Sequence, residues 1–272
     1  MHEERVGRLP DLDHLSTLAA TVLLAFALAR FVDLPPRQFG VQLSGFYLGF
    51  EFNPQSLSSL LIAGLTAIGA HWLLREHPAV EKKRLLEHLF LPALTALVIG
   101  QPLSQIPFSP LWWVGFGLGG LLLILVLIAE YIVIDPDDVR FAPAAAGLTI
   151  LSFALYLVLT VALRFAGLRL FLLIPLLATA AGLVSLRVLR LRMPRRWAYL
   201  QAGLVIFITT QVASALHYWP FTPAAFGLAL LGPAYALTDL AGNLAEGEPL
   251  SQAAIEPAVV LGLIWLAALF IN

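Results

Sequence analysis

The sequence predicts an all-α integral membrane protein, a bundle of about nine transmembrane helices with a short β-hairpin near residues 38–52. Three observations predict this fold class. Of the 272 residues, 60% are hydrophobic and 12% are charged, whereas soluble domains carry about 25% charged residues. The apolar residues gather in nine runs, each close to the roughly 20 residues that a helix needs to cross a bilayer. One connecting segment alternates between apolar and polar residues instead, which indicates paired strands.

The nine runs are separated mostly by short connections. Neighbouring helices should therefore pack antiparallel in a single polytopic domain, residues 1–272. Small residues four apart, at Gly115 and Gly119 and at Gly232 and Ala236, predict close helix contacts within the bundle. The approximate bounds are Leu15 to Val32, Ser56 to Leu74, His88 to Ile106, Leu111 to Ile134, Pro143 to Leu163, Leu170 to Leu189, Trp197 to Leu216, Phe221 to Thr238 and Ala253 to Ile271.

The first run has a second interpretation as a cleaved signal peptide, which would leave eight spans. Arg5 and Arg8 precede the run, and the segment Ala27-Leu28-Ala29 has the form of a signal-peptidase site. We favour a retained helix, because the apolar stretch is long for a signal core and because Asp11 and Asp13 stand in front of it.

Lys and Arg are distributed unevenly between alternate connections. With the N-terminus in the cytoplasm and the C-terminus outside, 12 of the 16 cations lie on the cytoplasmic side and three lie outside. Because Lys and Arg are retained in the cytoplasm, this orientation in a bacterial cytoplasmic membrane is the predicted one, with basic cytoplasmic loops at 76–87 and 190–196. The lipid bilayer is the expected partner, and the candidates for anionic-lipid contacts are Arg187, Arg190, Arg192, Arg195 and Arg196.

Residues 35–54 form the predicted outer connection between the first two spans. Apolar and polar residues alternate on both sides of Ser44-Gly45, a dipeptide that favours a tight turn. The resulting register places one set of apolar pairs on one face: Leu43 with Phe46, Val41 with Leu48, and Phe39 with Phe50. Two strands alone are marginally stable in water, so this face should lie on the bundle, the lipid interface or a partner.

Polar residues within the spans form two groups near the predicted outer surface. Polar groups are costly in lipid, so each is a functional hypothesis. In span three, Gly100 and Pro102 favour a broken helix, of the kind that supplies backbone groups to transported ligands. The alternative is that these side chains bond to neighbouring helices. The candidate residues for a polar, outward-facing pocket are Gln101, Ser104, Gln105, Thr210, Gln211, Ser214 and His217.

Acidic residues near the span ends are predicted to be interfacial. Glu130 lies close to Asp135 at the cytoplasmic interface, and Asp239 follows the eighth span. The turn Asp135-Pro136-Asp137-Asp138, together with the Arg187 to Arg196 cluster, would suit Mg²⁺ and a phosphate-bearing lipid. An Asp-Pro-Asp turn is also ordinary loop chemistry, so an enzyme acting on a lipid phosphate is the third functional interpretation.

The sequence predicts no catalytic residue, no metal and no cofactor. Cysteine is absent, which excludes disulfides, thiolate metal sites and cysteine nucleophiles. His71 and His77 are six residues apart and face different sides of a helix, and no glycine-rich phosphate loop follows a strand. A formal charge of −1 gives no basic excess for nucleic acid.

The layout resembles uncharacterised bacterial multi-pass membrane proteins that belong to families of unknown function. The resemblance rests on the arginine-rich, cysteine-free run of spans and on the segment Leu34-Pro35-Pro36-Arg37-Gln38-Phe39 before the hairpin. It implies no active residues. The leading interpretation is a non-enzymatic envelope component or assembly partner, with an unidentified membrane protein as its possible partner. The second is a small-molecule or lipid transporter with the outward-facing polar pocket.

Overall fold

The computed structural model describes residues 10–31, 37–43, 46–52, 54–78, 85–193 and 198–272. The chain forms two compact units, unit 1 from Met1–Val139 and unit 2 from Arg140–Asn272. Each unit consists mainly of long apolar helices, and unit 1 also contains a two-stranded sheet.

The described residues of unit 1 form four helices and two strands. The helices and strands are, in chain order, α1 (Leu12–Ala29), β1 (Arg37–Leu43), β2 (Phe46–Phe52), α2 (Pro54–Leu74), α3 (Leu86–Gln105) and α4 (Pro110–Ile132). Helix α2 packs along α3, while α4 packs against both α3 and α1. The shared core is apolar and includes Val22, Leu73, Trp112 and Leu127.

The two strands pair antiparallel, with Leu43 opposite Phe46, Val41 opposite Leu48 and Phe39 opposite Phe50. These are the pairs that the alternation of apolar residues specifies. The turn residues Ser44 and Gly45 lie outside the described residues.

Helix α3 is continuous to Gln105, although Pro92 and Pro102 lie inside it. The break expected in span three is therefore not present. Beyond this helix, Pro107 has no N–H with which to bond the carbonyl of Leu103. The indole N–H of Trp112 donates to that carbonyl instead, with the two atoms 3.2 Å apart. This bond fixes the start of α4 against the end of α3.

In unit 2, residues 140–193 and 198–272 are described and form six helices. They are α5 (Phe141–Phe165), α6 (Leu170–Arg192), α7 (Tyr199–Leu216), α8 (Pro223–Ala245), the short α9 (Leu250–Ala253) and α10 (Ile255–Ile271). Helix α8 is central, because α5, α6, α7 and α10 all pack on it. Its start is capped by Thr222, whose hydroxyl accepts the N–H of Ala225 at 3.2 Å.

Eight helical segments within the described part of the chain are long and apolar enough to cross a membrane. They correspond to the predicted spans except the third, where α3 has 20 residues but its apolar stretch is limited to Glu87–Gly100. A 20-residue helix is about 30 Å long, which still matches the thickness of the hydrocarbon core. These helices indicate a membrane-embedded protein.

Helix α8 continues seven residues beyond the predicted end of the eighth span at Thr238. The placement of Asp239 after this span is therefore wrong, since Asp239 lies inside α8. A hydropathy pattern ends a span at its first acidic residue. Here a basic residue of α6 contacts that carboxylate, as described below, so the helix can continue past it.

Small residues provide close helix contacts within each unit. A Cβ atom at Gly119 would lie 2.7 Å from Ile99 of α3, and one at Gly232 would lie 2.8 Å from Leu261 of α10. Both distances are shorter than normal carbon contacts. The predicted close approach at these two glycines is confirmed, and it occurs inside the units.

Candidate functional site

The hydroxyl groups of the predicted pocket on α7 bond to their own helix. Thr210 donates to the carbonyl of Ile206 at 2.7 Å, and Ser214 donates to the carbonyl of Thr210 at 2.8 Å. Gln211 is exposed. Hydroxyls that bond back to the preceding turn are already satisfied, so Thr210 and Ser214 contribute little polarity to a ligand site.

His217 follows α7 and is held through its backbone. Arg164, near the end of α5, donates to the carbonyl of His217 at 2.8 Å and to the carbonyl of Trp219 at 3.1 Å. The guanidinium of Arg164 also lies 4.8 Å from the ring centroid of Phe226. Burial, together with the charge of Arg164, lowers the pKa of His217. Arg164 therefore ties α5 to the connection between α7 and α8.

The remaining residues of the predicted pocket belong to the other unit. Gln101, Ser104 and Gln105 lie on the last turns of α3, and their side chains lie outside the described residues. Helix α3 is part of unit 1 and α7 is part of unit 2. The combined pocket stays a prediction.

The arginines predicted to contact anionic lipid have two different environments. Arg187 and Arg190 are buried, with 5% and 9% of their surface exposed, within unit 2. Arg192 is at the end of α6 and has one third of its side chain exposed. Arg195 and Arg196 lie outside the described residues. Lipid contact by these arginines stays a prediction.

Arg192 joins α6 to the last turns of α8. Its Nη1 atom lies 2.9 Å from Oδ1 of Asp239 and donates to Oδ1 of Asn243 at 3.1 Å. The amide of Asn243 in turn donates to the carbonyl of Ala253 at 3.2 Å. Gly242 makes room for the arginine, because a Cβ atom there would meet the guanidinium. The carboxylate of Asp239 is mostly buried, so loss of Arg192 would leave it without this cation and would destabilise the unit.

Unit 1 contains the strongest candidate for a functional site, a group of titratable side chains close to the end of α2, the start of α3 and the end of α4. We call it the histidine–acid cluster, and it consists of His77, His88, Glu130, Tyr131 and Asp138. Nδ1 of His88 in the first turn of α3 lies 2.8 Å from Oε2 of Glu130 in the last turn of α4. Glu130 has no exposed surface. A carboxylate wholly buried in an apolar spanning helix is expensive, which marks it as a functional candidate.

The other members of the cluster surround His77, which follows α2. The rings of His77 and Tyr131 meet edge to face with their centroids 4.6 Å apart. Both side chains are buried, as is Asp138 in the turn after α4. That turn is closed by Asp135, whose carboxylate accepts the N–H of Asp137 at 3.1 Å. This Asx turn is the local chemistry that an Asp-Pro-Asp sequence favours.

The electrostatics of the cluster act on His77 in opposite directions. Burial lowers the pKa of His77 and is the largest influence, and the nearby charge of His88 lowers it further. The carboxylates of Asp135 and Asp138 act to raise it. Burial prevails, so the pKa of His77 lies below the ordinary value of histidine.

The cluster is suited to binding and releasing protons. Imidazole and carboxylate groups exchange protons at accessible pH, and chains of such groups form proton relays in membrane proteins. Exposed Asp137 lies in the same turn as buried Asp138, and Glu130 lies deeper in α4. Within the described residues, no group of three or more His, Asp or Glu side chains is arranged to hold a metal ion.

The interfacial depth predicted for Glu130 stays a prediction, and the structure adds that its side chain is fully buried against His88. The sequence indicated only how deep Glu130 lies in the membrane, and not which side chain it contacts. A topological signal was nevertheless present, since α3 begins and α4 ends on the same predicted side of the membrane. A histidine in the first turn of one helix and a glutamate in the last turn of the next can therefore meet.

Comparison with known proteins places the chain with proteins of no assigned role. Residues 34–271 match the family described as "Protein of unknown function (DUF5656)". No curated protein and no solved structure matches the chain.

Proposed function

The chain belongs to the DUF5656 family, and we propose that it is a non-enzymatic component of the bacterial cytoplasmic membrane that binds a transmembrane helix of another membrane protein. The N-terminus is on the cytoplasmic side and the C-terminus outside, in keeping with the distribution of Lys and Arg. The surface that binds the partner is the face of α10 that points away from α8.

The observation that carries the proposal is the low burial of α10. Only 11% of the segment Leu250–Ile271 is buried, compared with 28–56% for the other seven spanning segments. Among the described elements, α10 makes its main contact with α8 and a smaller one with α9. Most of the surface of this helix is therefore left uncovered by the other helices of unit 2.

The residue pattern on α10 favours another protein. Ala258 and Gly262 are exposed and four residues apart, and no atom lies within 4 Å of the position that a Cβ atom of Gly262 would occupy. Large exposed side chains flank them at Val259, Leu263 and Leu266. In lipid, helices associate through small residues that let backbones approach closely. Inside the unit, α10 already packs closely against α8 at Gly232 in this way.

The polar residues of unit 2 support a structural role over a catalytic one. Arg192 is engaged with Asp239 and Asn243, and Arg164 is engaged with backbone carbonyls. The hydroxyl of Thr210 bonds to its own helix. Each of these groups holds helices together or satisfies a local backbone carbonyl.

Cysteine cross-linking tests the proposal, because the chain has no cysteine of its own. Ala258→Cys and, as the control, Gly203→Cys would each be labelled with a photoreactive maleimide in native membranes. Gly203 is exposed on α7 with no atom near its Cβ position, as Gly262 is on α10. We expect a discrete protein adduct from position 258 and only lipid adducts from position 203. Lipid adducts alone from both positions would contradict the proposal.

The histidine–acid cluster favours a second candidate function, proton-coupled transport of a small solute. The supporting observation is the contact between His88 and the fully buried Glu130. In liposomes with an imposed pH gradient, the transport hypothesis predicts proton movement that Glu130→Gln abolishes and that exposed Asp137→Asn leaves unchanged. Equal proton movement with and without Glu130 would reject transport through this cluster.

A further inference from the structure

Unit 1 contains a small polar pocket at the end opposite the histidine–acid cluster. It lies where α1 ends and α2 begins, with walls from α3 and α4. Its volume is about 40 Å³. We call it the Arg30 pocket; the residues that matter are Arg30, Ser58, Ser59, Gly100, Trp112 and Phe26.

The walls of the pocket are fixed by close packing. A Cβ atom at Gly100 would lie 2.9 Å from Oγ of Ser59 and 3.3 Å from a ring carbon of Phe26. The glycine therefore keeps open a space that any other residue would begin to fill. Trp112 is buried and is held in place by its hydrogen bond to the carbonyl of Leu103. The pocket is thus a preformed feature of the helix packing.

The charge of the pocket comes from Arg30, which follows α1. Among the residues that the structure describes, Arg30 has no acidic partner, whereas Arg192 in unit 2 has Asp239. A guanidinium at the margin of an apolar bundle is stabilised by an anion nearby. Ser58 and Ser59 line the same space and make part of its wall polar.

The size of the pocket limits the ligand. A volume of about 40 Å³ has room for about three water molecules, well below the roughly 300 Å³ of a pocket for a whole small molecule. Only a compact group can enter. Arginine binds phosphate through two parallel N–H bonds, and its fork geometry suits the oxygens of this group.

We infer that the Arg30 pocket binds the oxygens of a phosphate group, carried either by a phospholipid headgroup or by a soluble phosphate. Arg30 supplies the charge and the N–H donors, the two serines form part of the polar wall, and Gly100 keeps the space open. This site is independent of α10 and of the proposed partner helix.

Binding to the purified full-length protein in neutral nanodiscs tests the inference. One arm adds phosphatidylglycerol and the other adds inorganic phosphate, with binding measured by native mass spectrometry and by the shift in the melting temperature. We expect saturable binding in one arm, which identifies the source of the phosphate. Arg30→Gln should weaken that binding at least about tenfold, since a hydrogen bond to a charged group contributes about 1.5 kcal/mol or more.

Two matched controls separate this site from general charge effects. Arg169→Gln removes an exposed arginine before α6 and should leave binding unchanged. Gly100→Ala should weaken binding by narrowing the pocket, while Gly64→Ala, where no atom lies near the added methyl group, should not. If Gly100→Ala fails to fold, the comparison of the wild type with Arg30→Gln still tests the inference. No binding in either arm, or equal binding by the wild type and Arg30→Gln, would overturn the inference.

Discussion

Nδ1 of His88 lies 2.8 Å from Oε2 of Glu130, and this contact joins the first turn of α3 to the last turn of α4. The carboxylate is fully buried, while the imidazole keeps a small exposed surface. Helices α3 and α4 are consecutive. The hydrogen bond between Trp112 and Leu103 joins them at one end, and the contact between His88 and Glu130 joins them at the other end. The two polar contacts thus pin opposite ends of the same pair.

Removal of the Glu130 carboxylate should destabilise unit 1. Removing one partner of a buried hydrogen bond costs about 1–3 kcal/mol, and Glu130→Ala leaves His88 without its contact to Oε2. Glu130→Gln should cost less, because the amide oxygen can still accept a hydrogen bond. Denaturant unfolding in detergent measures the loss, with Asp137→Ala in the exposed turn as the control. Equal stability of the two alanine variants would show that the contact contributes nothing.

A methyl group at Gly242 should disrupt the Arg192 contacts. The Cβ atom would occupy the position of the guanidinium, and overpacking of this kind costs about 1–3 kcal/mol. Gly147→Ala in α5 is the matched control, because no atom lies within 4 Å of the added Cβ. That control should be neutral or stabilising by up to about 1 kcal/mol, as the helix propensity of alanine exceeds that of glycine. The prediction fails if Gly242→Ala unfolds at the same temperature as the control.

The stability of unit 1 should fall as the pH falls below about 6.5, the ordinary pKa of histidine. The pKa of His77 in the folded protein is lower than this value, so the unfolded chain takes up a proton first. The contribution of His77 is therefore full above pH 6.5 and is lost as the pH drops towards the folded pKa. His77→Gln should flatten this part of the pH profile, measured as melting temperature against pH. His71→Gln on α2 is the control, and an unchanged profile for His77→Gln would disprove the assignment.

Removal of the α7 hydroxyls should have little effect. Thr210→Val and Ser214→Ala each delete a bond to the preceding turn of the same helix, so the change in unfolding free energy should stay within about 0.5 kcal/mol. The melting temperature in detergent measures this change. A large loss of stability would mean that these hydroxyls serve another element of the fold.

The positions of the helices were predictable because the bilayer fixes the length of an apolar span. The polar contacts were not predictable. The end of α8 depends on Arg192 of α6 meeting Asp239, and the burial of Glu130 depends on His88 of α3. Each contact joins residues that are more than 40 positions apart in the sequence, and hydropathy carries no information on such pairs. The small residues of α10 are visible in the sequence, as are those of other spans. Only the structure shows that α10 is much less buried than the other spans.

The yield of the Ala258→Cys adduct in a Gly262→Leu background tests directly whether α10 binds a partner helix. Leucine at position 262 would fill the space beside Ala258, which now has no atom near the Cβ position of Gly262. We expect Gly262→Leu to abolish the protein adduct of Ala258→Cys. As the control, Gly203→Leu combined with Ala258→Cys should leave the adduct intact. An undiminished adduct with Gly262→Leu would contradict the claim that α10 binds a partner helix through this face.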